Sequence, residues 1–341
     1  MKKLLNTLYV TTQKSYLRKE GETVVVEVEG IVKLRLPIHT LSGLVTFGNV
    51  MVSPYLLNLC AERGVCVSYL SEQGRFLARV TGPISGNVLL RMEQMKAHED
   101  YFQKGEIARN FIIGKLINAR SVLARRLRDH GETPAIQGAL TGIMDVLKRV
   151  RDSVPDTERL RGLEGEAAAV YFAAFNDLVL TSSKVLQMNG RSRRPPRDPI
   201  NALLSFLYTL LVHDCRGALE GVGLDPQIGF LHELRPGRPS LALDLMEEFR
   251  AILADRVALS LINFRQVTEK DFKFTESGAV ELTENARKIV LMAWQKKKQE
   301  EIHHVFLNER IQIGLIPHVQ ALLLARTLRG DLDAYPPFLV K

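Results

Sequence analysis

The spacing of the apolar residues changes once along this chain of 341 residues, and that change constrains the fold most strongly. Before residue 81 apolar and polar positions alternate with a period of two, as Val24, Val26 and Val28 do with Glu27 and Glu29. This alternation is typical of half-buried β-strands. After residue 86 the apolar period becomes 3.6, which is typical of amphipathic helices. The sequence therefore predicts an α+β protein, β-rich first and helical afterwards.

The segment between the two patterns, residues 81–86, reads TGPISG and has the composition of a linker. We therefore predict a small N-terminal β-rich domain over residues 1–82 and a larger all-α domain over residues 83–341. Helical stretches are expected at 88–102, 105–129, 135–152, 157–180, 199–220, 241–262, 283–298 and 300–328.

Two local signals refine the N-terminal region. Ser53 followed by Pro54 is typical of a helix N-cap with proline in the first turn, and Gly64 is a plausible end for that helix. Beyond it, residues 65–69 and 76–80 flank a turn at 71–74 and predict a β-hairpin.

The bulk properties favour an anionic partner and a reducing compartment. The formal net charge is +8, carried largely by arginine, which favours nucleic acid. Three cysteines are too few for a disulfide framework and lack the paired spacing of a zinc site. The longest apolar run, residues 202–212, is about half of what a bilayer span needs, and no signal peptide is recognisable. We expect a cytoplasmic protein with no membrane association.

Glu164 is the first candidate for chemistry. On a helical wheel it falls within the apolar stripe formed by Leu163, Ala167 and Tyr171. A carboxylate on a buried stripe is costly unless it is paired, protonated or bound to a cation. Two interpretations remain open: a metal ligand, or an internal salt bridge to Arg161 or to an arginine of another helix.

Three further residues extend the set. Asp244 and Glu247 are three positions apart on one predicted helix and therefore share a face, and His232 lies in the loop before it. Each alone is more often structural, because single histidines are commonly part of a core and acidic pairs commonly face solvent. Together, oxygen ligands with one imidazole suit Mg²⁺ or Mn²⁺. A P-loop, an HExxH zinc motif and a GxSxG elbow are absent from the sequence.

Two basic stretches are candidates for contact with a polyanion. Residues 107–128 hold six arginines and lysines and no acidic residue, and residues 191–197 surround two prolines with four arginines. Such runs are often only solvated faces, but the second lies between the proposed ligand segments, which favours contact with phosphates. The candidates for DNA-backbone contacts are Arg191, Arg193, Arg194, Arg197, Lys115 and Arg120.

Several phrases of the sequence resemble one family. They are GLEGEAAAVYF (162–172), RSRRPPRDPINALLSFLY (191–208), FLHELRPGRPSLALDLMEEFR (230–250), LLARTLRGDLDAYPPFL (323–339) and LSGLVTFGNVMVSPYLLNLCAERGVCVSYL (41–70). Spread over essentially the whole chain, they are similar to the CRISPR-associated protein 1 family, the spacer-acquisition integrase. The length and the C-terminal phrase resemble members from type I-C systems.

The resemblance implies an N-terminal β domain that mediates a homodimer and a helical domain that holds a divalent metal, Mg²⁺ or Mn²⁺. The family's ligands map onto Glu164, His232 and Glu247, where some members carry aspartate at the last position. Asp244 matches a second acidic position and is kept as an auxiliary catalytic residue. Glu166 matches a position that is asparagine or another small or polar residue in many members, so it is not predicted to be a ligand.

The function implied is that of a metal-dependent endonuclease and integrase. The 3′-hydroxyl of a short double-stranded DNA fragment attacks the repeat of a CRISPR array by direct transesterification, and water as the nucleophile gives cleavage. The implied partner is the CRISPR-associated protein 2, bridging two dimers. The alternatives are a DNA-binding scaffold whose acidic residues are only structural pairs, and a repair nuclease that cuts DNA junctions.

Overall fold

The computed structural model describes residues 6–80, 82 and 88–340. The predicted α+β class is confirmed, because a β-rich N-terminal region is followed by a helical one. Of the predicted linker, only Gly82 lies within the described residues. The division into domains at residue 82 stays a prediction.

The first sheet has four strands in the order β1-β5-β7-β8, and only the last pair is antiparallel. That antiparallel pair confirms the hairpin predicted from residues 65–69 and 76–80. The strands are β1 (Asn6–Val10), β5 (Leu41–Phe47), β7 (Cys66–Leu70) and β8 (Phe76–Val80).

The second sheet also has four strands, in the order β4-β3-β2-β6. Strands β2, β3 and β4 form an antiparallel meander, and β6 pairs parallel to β2. Their bounds are β2 (Ser15–Glu20), β3 (Thr23–Val28), β4 (Ile31–Pro37) and β6 (Val50–Val52). Helix α1 (Pro54–Glu62) begins where predicted, because the Ser53 hydroxyl accepts a hydrogen bond from the N–H of Leu56.

The helical region contains one long, mostly buried helix, Pro199–Val222. Its helices are α2 (Val88–Glu99), α3 (Tyr101–His130), α4 (Pro134–Asp152), α5 (Thr157–Ala173), α6 (Pro199–Val222), α7 (Ser240–Glu247), α8 (Arg256–Asn263), α9 (Glu284–Gln299) and α10 (Ile316–Leu328). A π-helix, Arg250–Asp255, joins α7 to α8, so the helix predicted at 241–262 contains a wider turn. No helix in the described part of the chain is long and apolar enough to span a membrane.

One predicted helix is wrong at its start, and the region is not purely α-helical. Instead of a helix from residue 300, strands β11 (Glu301–His304) and β12 (Glu309–Gln312) form a hairpin. Asn308 adopts a φ of 53°, a left-handed conformation that asparagine tolerates and that helps to reverse the chain. A second small hairpin pairs β9 (Phe272–Phe274) with β10 (Val280–Leu282).

Strand β5 connects the two regions because both of its faces are buried. Leu44 packs into the core of the β-rich region, whereas Val45 and Phe47 belong to the larger core of the helical region. The ring of Phe47 stacks on that of Phe206 of α6, with centroids 5.9 Å apart. The first sheet is therefore a shared layer between the two cores.

The C-terminal tail, residues 332–340, is fixed to the helices by buried polar contacts. The hydroxyl of Tyr335 donates to the side-chain carboxyl group of Glu248 at 2.7 Å, and the N–H of Phe338 donates to the same group at 2.8 Å. Asn118 of α3 donates to the carbonyls of both Glu248 and Phe338. The tail thereby holds the C-terminal end of α7 against α3.

Candidate active site

Helices α3, α5 and α7 bring one lysine and two glutamates together. The ammonium of Lys115 is ion-paired with Glu164 and lies 2.8 Å from Oε2 of Glu247. Arg250, at the start of the π-helix, contacts Oε1 of Glu247 at 3.2 Å. The structure therefore joins two of the three residues predicted as metal ligands through a shared cation.

Glu164 lies at the edge of the buried stripe of α5, with a quarter of its side chain exposed. Of the interpretations left open by the sequence, the internal ion pair is present, but its partner is a lysine. Arg161 is engaged elsewhere, with Glu158 and Glu233. Glu166, not predicted as a ligand, is paired with Arg149 on the outer surface of the helix.

Glu247 is buried with only 2 % of its side chain exposed, yet it is held in its charged form. Burial alone would raise the pKa of this carboxyl, but the charges of Arg250 and Lys115 outweigh it and hold the pKa well below its usual range. Its Oε2 atom lies 2.8 Å from the Lys115 ammonium and has no other partner among the residues that the structure describes. That oxygen therefore retains a lone pair for another ligand.

The loop that carries His232 is fixed by Asp244. The Asp244 carboxylate, fully buried, accepts hydrogen bonds from the backbone N–H groups of Phe230, Leu231 and His232 at 2.6, 3.0 and 2.9 Å. It also accepts a hydrogen bond from Nδ1 of His232 at 2.7 Å. In the neutral imidazole a proton on Nδ1 leaves the lone pair on Nε2, and Nε2 bonds to no described side chain or backbone group.

Asp244 thus orients the imidazole of His232. Metal-bound histidines commonly donate their other ring N–H to a carboxylate in this way, which fixes the tautomer and the ring orientation. With four hydrogen bonds, the oxygens of Asp244 are saturated and turned toward the loop. Its geometry suits a supporting role.

The types of ligand in Glu164, Glu247 and His232 fit a hard divalent cation, although the three side chains do not lie close enough together to form a complete metal site. Among residues 6–80, 82 and 88–340, no group of three His, Cys, Asp or Glu side chains is close enough to hold a metal ion. Two carboxylates nevertheless converge on one positive charge, and Nε2 of His232 makes no hydrogen bond with a described residue. Carboxylate oxygens with one imidazole match the preferences of Mn²⁺ and Mg²⁺.

The predicted DNA-contacting residues separate into two groups. Arg193, Arg194 and Arg197 are exposed in the loop before α6, and Arg120 is exposed on α3. Lys115, by contrast, is mostly buried in the carboxylate cluster. The structure therefore gives four of the six an open surface.

Arg191 is the second exception. Its guanidinium donates to the carbonyl of Ser192 and to the side chain of Asn201, and it lies over the rings of Phe172 and Tyr208. This arginine shapes the loop from inside, whereas its neighbours face outward.

Sequence reasoning missed a polar cluster on the far side of Arg250. The Arg250 guanidinium lies 4.8 Å from the ring centroid of Tyr208, and the hydroxyls of Tyr208 and Tyr171 donate to the buried carboxylate of Asp255. Burial raises the pKa of Asp255 to about 6, against the hydrogen bonds and arginines around it. Arg250 follows Glu247 by three residues, so its helical spacing could have indicated their contact.

Comparisons with known proteins agree with this architecture. The family model described as CRISPR associated protein Cas1 matches residues 8–296. A CRISPR-associated endonuclease Cas1 of Rhodospirillum rubrum is 54% identical over 100% of both chains, and one of Chlorobaculum tepidum is 51% identical over 99% of each.

Solved structures share the fold at low sequence identity. A Cas1 protein from Thermotoga maritima aligns with a TM-score of 0.82 at 22% identity, covering 96% of this chain and 97% of that one. A casposase bound to integration product aligns with a TM-score of 0.80 at 23% identity, covering 97% and 93%. The family match and the high identity to full-length relatives show that this chain belongs to the Cas1 family of CRISPR-associated proteins.

Proposed function

We propose that this chain is a metal-dependent DNA endonuclease and integrase that joins the 3′-hydroxyl ends of short DNA fragments to the repeat of a CRISPR array. Family membership supports the endonuclease activity, since the relatives at 54% and 51% identity are named endonucleases. The observation that carries the proposal is the convergence of Glu164 and Glu247 on one cation, with Glu247 buried and charged.

In this proposal Glu164, Glu247 and Nε2 of His232 hold Mg²⁺ or Mn²⁺. The bound ion would supply Lewis-acid stabilisation of the charge that develops on the phosphodiester oxygens. Asp244 keeps His232 in the tautomer that leaves Nε2 free. Arg250 contacts Glu247 on its other oxygen and limits the motion of that carboxylate.

The chemistry proposed is an exchange of one phosphodiester for another. The 3′-oxygen of the fragment forms a bond to phosphorus, the bond to the displaced 3′-oxygen of the repeat breaks, and the proton passes from the former to the latter. No covalent protein intermediate or nucleotide triphosphate is required. Positioning is the main contribution of the protein, and the exposed Arg193, Arg194 and Arg197 suit contact with DNA backbone.

We also propose the assembly that the family implies: a homodimer through the β-rich region, and two dimers bridged by CRISPR-associated protein 2. Strand β4, at the edge of the second sheet, exposes Ile31, Val32 and Leu34 by 59%, 37% and 38%. An apolar edge strand of this kind suits burial against a second copy. One solved structure that shares the fold is a complex of a Cas6-RT-Cas1 protein with Cas2. A type I-C origin and a cytoplasmic location complete the proposal.

The test is a strand-joining assay with the chain, its small partner, a duplex with free 3′ ends and a plasmid carrying the repeat. We expect joining with Mn²⁺ or Mg²⁺, none with EDTA, and loss of joining in Glu164→Ala and His232→Ala with DNA binding largely kept. Glu166→Ala is the matched control, since Glu166 is half exposed on the same helix. It should join normally.

Two other outcomes would redirect the assignment. If Glu164→Ala and His232→Ala both joined DNA at the normal rate, the metal site would be elsewhere or absent. Tight DNA binding without joining under any metal would favour a scaffold, and cleavage of branched DNA without joining to a repeat would favour a junction nuclease.

A further inference from the structure

Lys115 occupies the space between the two proposed carboxylate ligands. Its ammonium is bonded to Glu164 and is 2.8 Å from Oε2 of Glu247, with 12% of the lysine side chain exposed. A cation bound by both carboxylates would have to take that same space. We propose that Lys115 is a built-in placeholder, an ammonium that neutralises the site without metal and that a divalent cation must displace.

The charges in the cluster support displacement. Glu164 and Glu247 carry two negative charges, and Lys115 and Arg250 carry two positive ones, so the cluster is already neutral. A divalent cation added beside an unmoved ammonium would leave a surplus of positive charge next to a carboxylate that is almost fully buried. Withdrawal of the ammonium halves that surplus, from two positive charges to one.

The chemistry of the two cations indicates which one moves. Lysine ends in a compact charge on a flexible stem, whereas the planar guanidinium of arginine is suited to a fixed geometry. Arg250 is held over the ring of Tyr208 and contacts Oε1 of Glu247, away from Glu164. Of these two cations, Lys115 is the one that touches both carboxylates.

The inference rests on the proposed metal-dependent function. It predicts a change in metal affinity opposite to the one expected if Lys115 only supported the site. If Lys115 only shaped the site, its removal would weaken metal binding. If it is a placeholder, removal of the competing charge strengthens metal binding while weakening the metal-free fold. The apparent affinity of a site falls in proportion to the fraction of time that it is free.

The test compares the wild type with Lys115→Met and Lys115→Gln by Mn²⁺ titration, followed by electron paramagnetic resonance and by melting temperature with and without the ion. We expect Mn²⁺ to bind either variant about tenfold more tightly, as for a site that is free of ammonium about a tenth of the time. The metal-free melting temperature should fall. Lys115→Gln retains a neutral donor, so it covers the case in which Lys115→Met fails to fold.

The control is Lys104→Met, at the only other lysine of α3, three turns away and in none of these ion pairs. Its Mn²⁺ affinity should match that of the wild type. Equal or weaker Mn²⁺ binding by both Lys115 variants would overturn the placeholder. If the wild type and all variants failed to bind Mn²⁺, the metal-dependent function itself would fall, and with it this inference.

The displaced ammonium would become free to pair with a phosphate. The contribution of Lys115 to DNA affinity should therefore appear only when Mn²⁺ is present. Lys115→Met is expected to reduce the salt dependence of DNA binding by the equivalent of about one phosphate in Mn²⁺ and to leave it unchanged in EDTA. An equal reduction in both conditions would show that the ammonium contacts DNA without being displaced, contrary to the placeholder.

Discussion

The carboxylate of Asp244 accepts four hydrogen bonds from the loop before α7. Three come from consecutive backbone N–H groups and one from Nδ1 of His232. Because a carboxylate only accepts, all four donors are satisfied together and the histidine has one possible tautomer. A single buried residue thus fixes both the path of the loop and the direction of Nε2.

Replacement of Asp244 by asparagine should disturb both the path of the loop and the direction of Nε2 without unfolding the protein. An amide presents its own N–H₂ group to two of the four donors, so two hydrogen bonds disappear. We expect a decrease of about 1–3 kcal/mol in the free energy of unfolding and a drop of about 10–100-fold in Mn²⁺ affinity. Urea unfolding and metal titration measure the two.

Glu233→Gln provides the comparison for Asp244→Asn, because Glu233 is half exposed and next to His232. It should change neither quantity appreciably. Normal metal affinity in Asp244→Asn would show that His232 is not oriented through this contact.

Glu248 makes stability depend on pH in an unusual direction. Burial raises the pKa of this carboxyl from 4.5 to about 8, against hydrogen bonds from Tyr335, Phe338 and Gln320. Between those two values the folded chain binds a proton that the unfolded chain releases, so stability falls as the pH rises. The stabilising contribution is complete below about pH 4.5 and is lost as the pH passes through about 8.

Glu248→Gln has no such proton to lose. Measured by urea unfolding in EDTA, the wild type should lose stability relative to this variant between about pH 5.5 and pH 8.5, by on the order of a few kcal/mol. A difference between the two proteins that stays constant with pH would mean that Glu248 is ionised in the fold throughout.

At the scale of elements, the loop before α6 has an inner and an outer set of arginines. Arg191 is bonded to Asn201 and packed on aromatic rings, whereas Arg193 and Arg194 are exposed. Replacement of Arg193 and Arg194 by glutamine should weaken DNA binding. The slope of log affinity against log salt should become shallower by about 0.9 for each phosphate that the protein no longer neutralises.

Arg191→Gln is expected to act differently, since it should lower the melting temperature and leave the salt slope unchanged. Arg63→Gln, at an exposed arginine of the β-rich region paired with Glu22, is the control for removal of charge alone. A salt slope unaffected by replacement of Arg193 and Arg194 would mean that this loop does not meet DNA.

Elements with local signals were predictable from the sequence, whereas contacts between distant segments were not. The starts of α1 and α6 follow from Ser53-Pro54 and Asp198-Pro199, because a side-chain oxygen caps each helix within three residues. The hairpin at 301–312 was missed because its apolar residues also fit a helical period. The ion pairs of Lys115 join three helices that are far apart in the sequence, so no local sequence pattern predicts them.

At the scale of the whole molecule, the turn between β7 and β8 packs against α6. Gly74 has a φ of +87°, and a Cβ atom added there would lie 2.6 Å from the ring of Phe206. Gly74→Ala should therefore cost the strain of a positive φ, about 1 kcal/mol or more, and also about 1–3 kcal/mol for overpacking. Urea unfolding measures the sum.

Gly30→Ala isolates the first contribution, because Gly30 has a φ of +76° and open space where its Cβ would be. We expect Gly74→Ala to be the more destabilising of the two. Equal decreases in stability would mean that the turn between β7 and β8 contributes no packing energy to the joint between the β-rich and helical regions.

The docked C-terminal tail has a consequence for folding during translation. Translation adds residues in order, so Glu164, His232 and Glu247 are all synthesised before Tyr335 and Phe338. Until those two residues arrive, the Glu248 side chain lacks two of the hydrogen-bond donors that dock the tail beside the end of α7. A nascent chain on the ribosome therefore lacks these two contacts beside Glu247, and they form only once the tail has been made and docked.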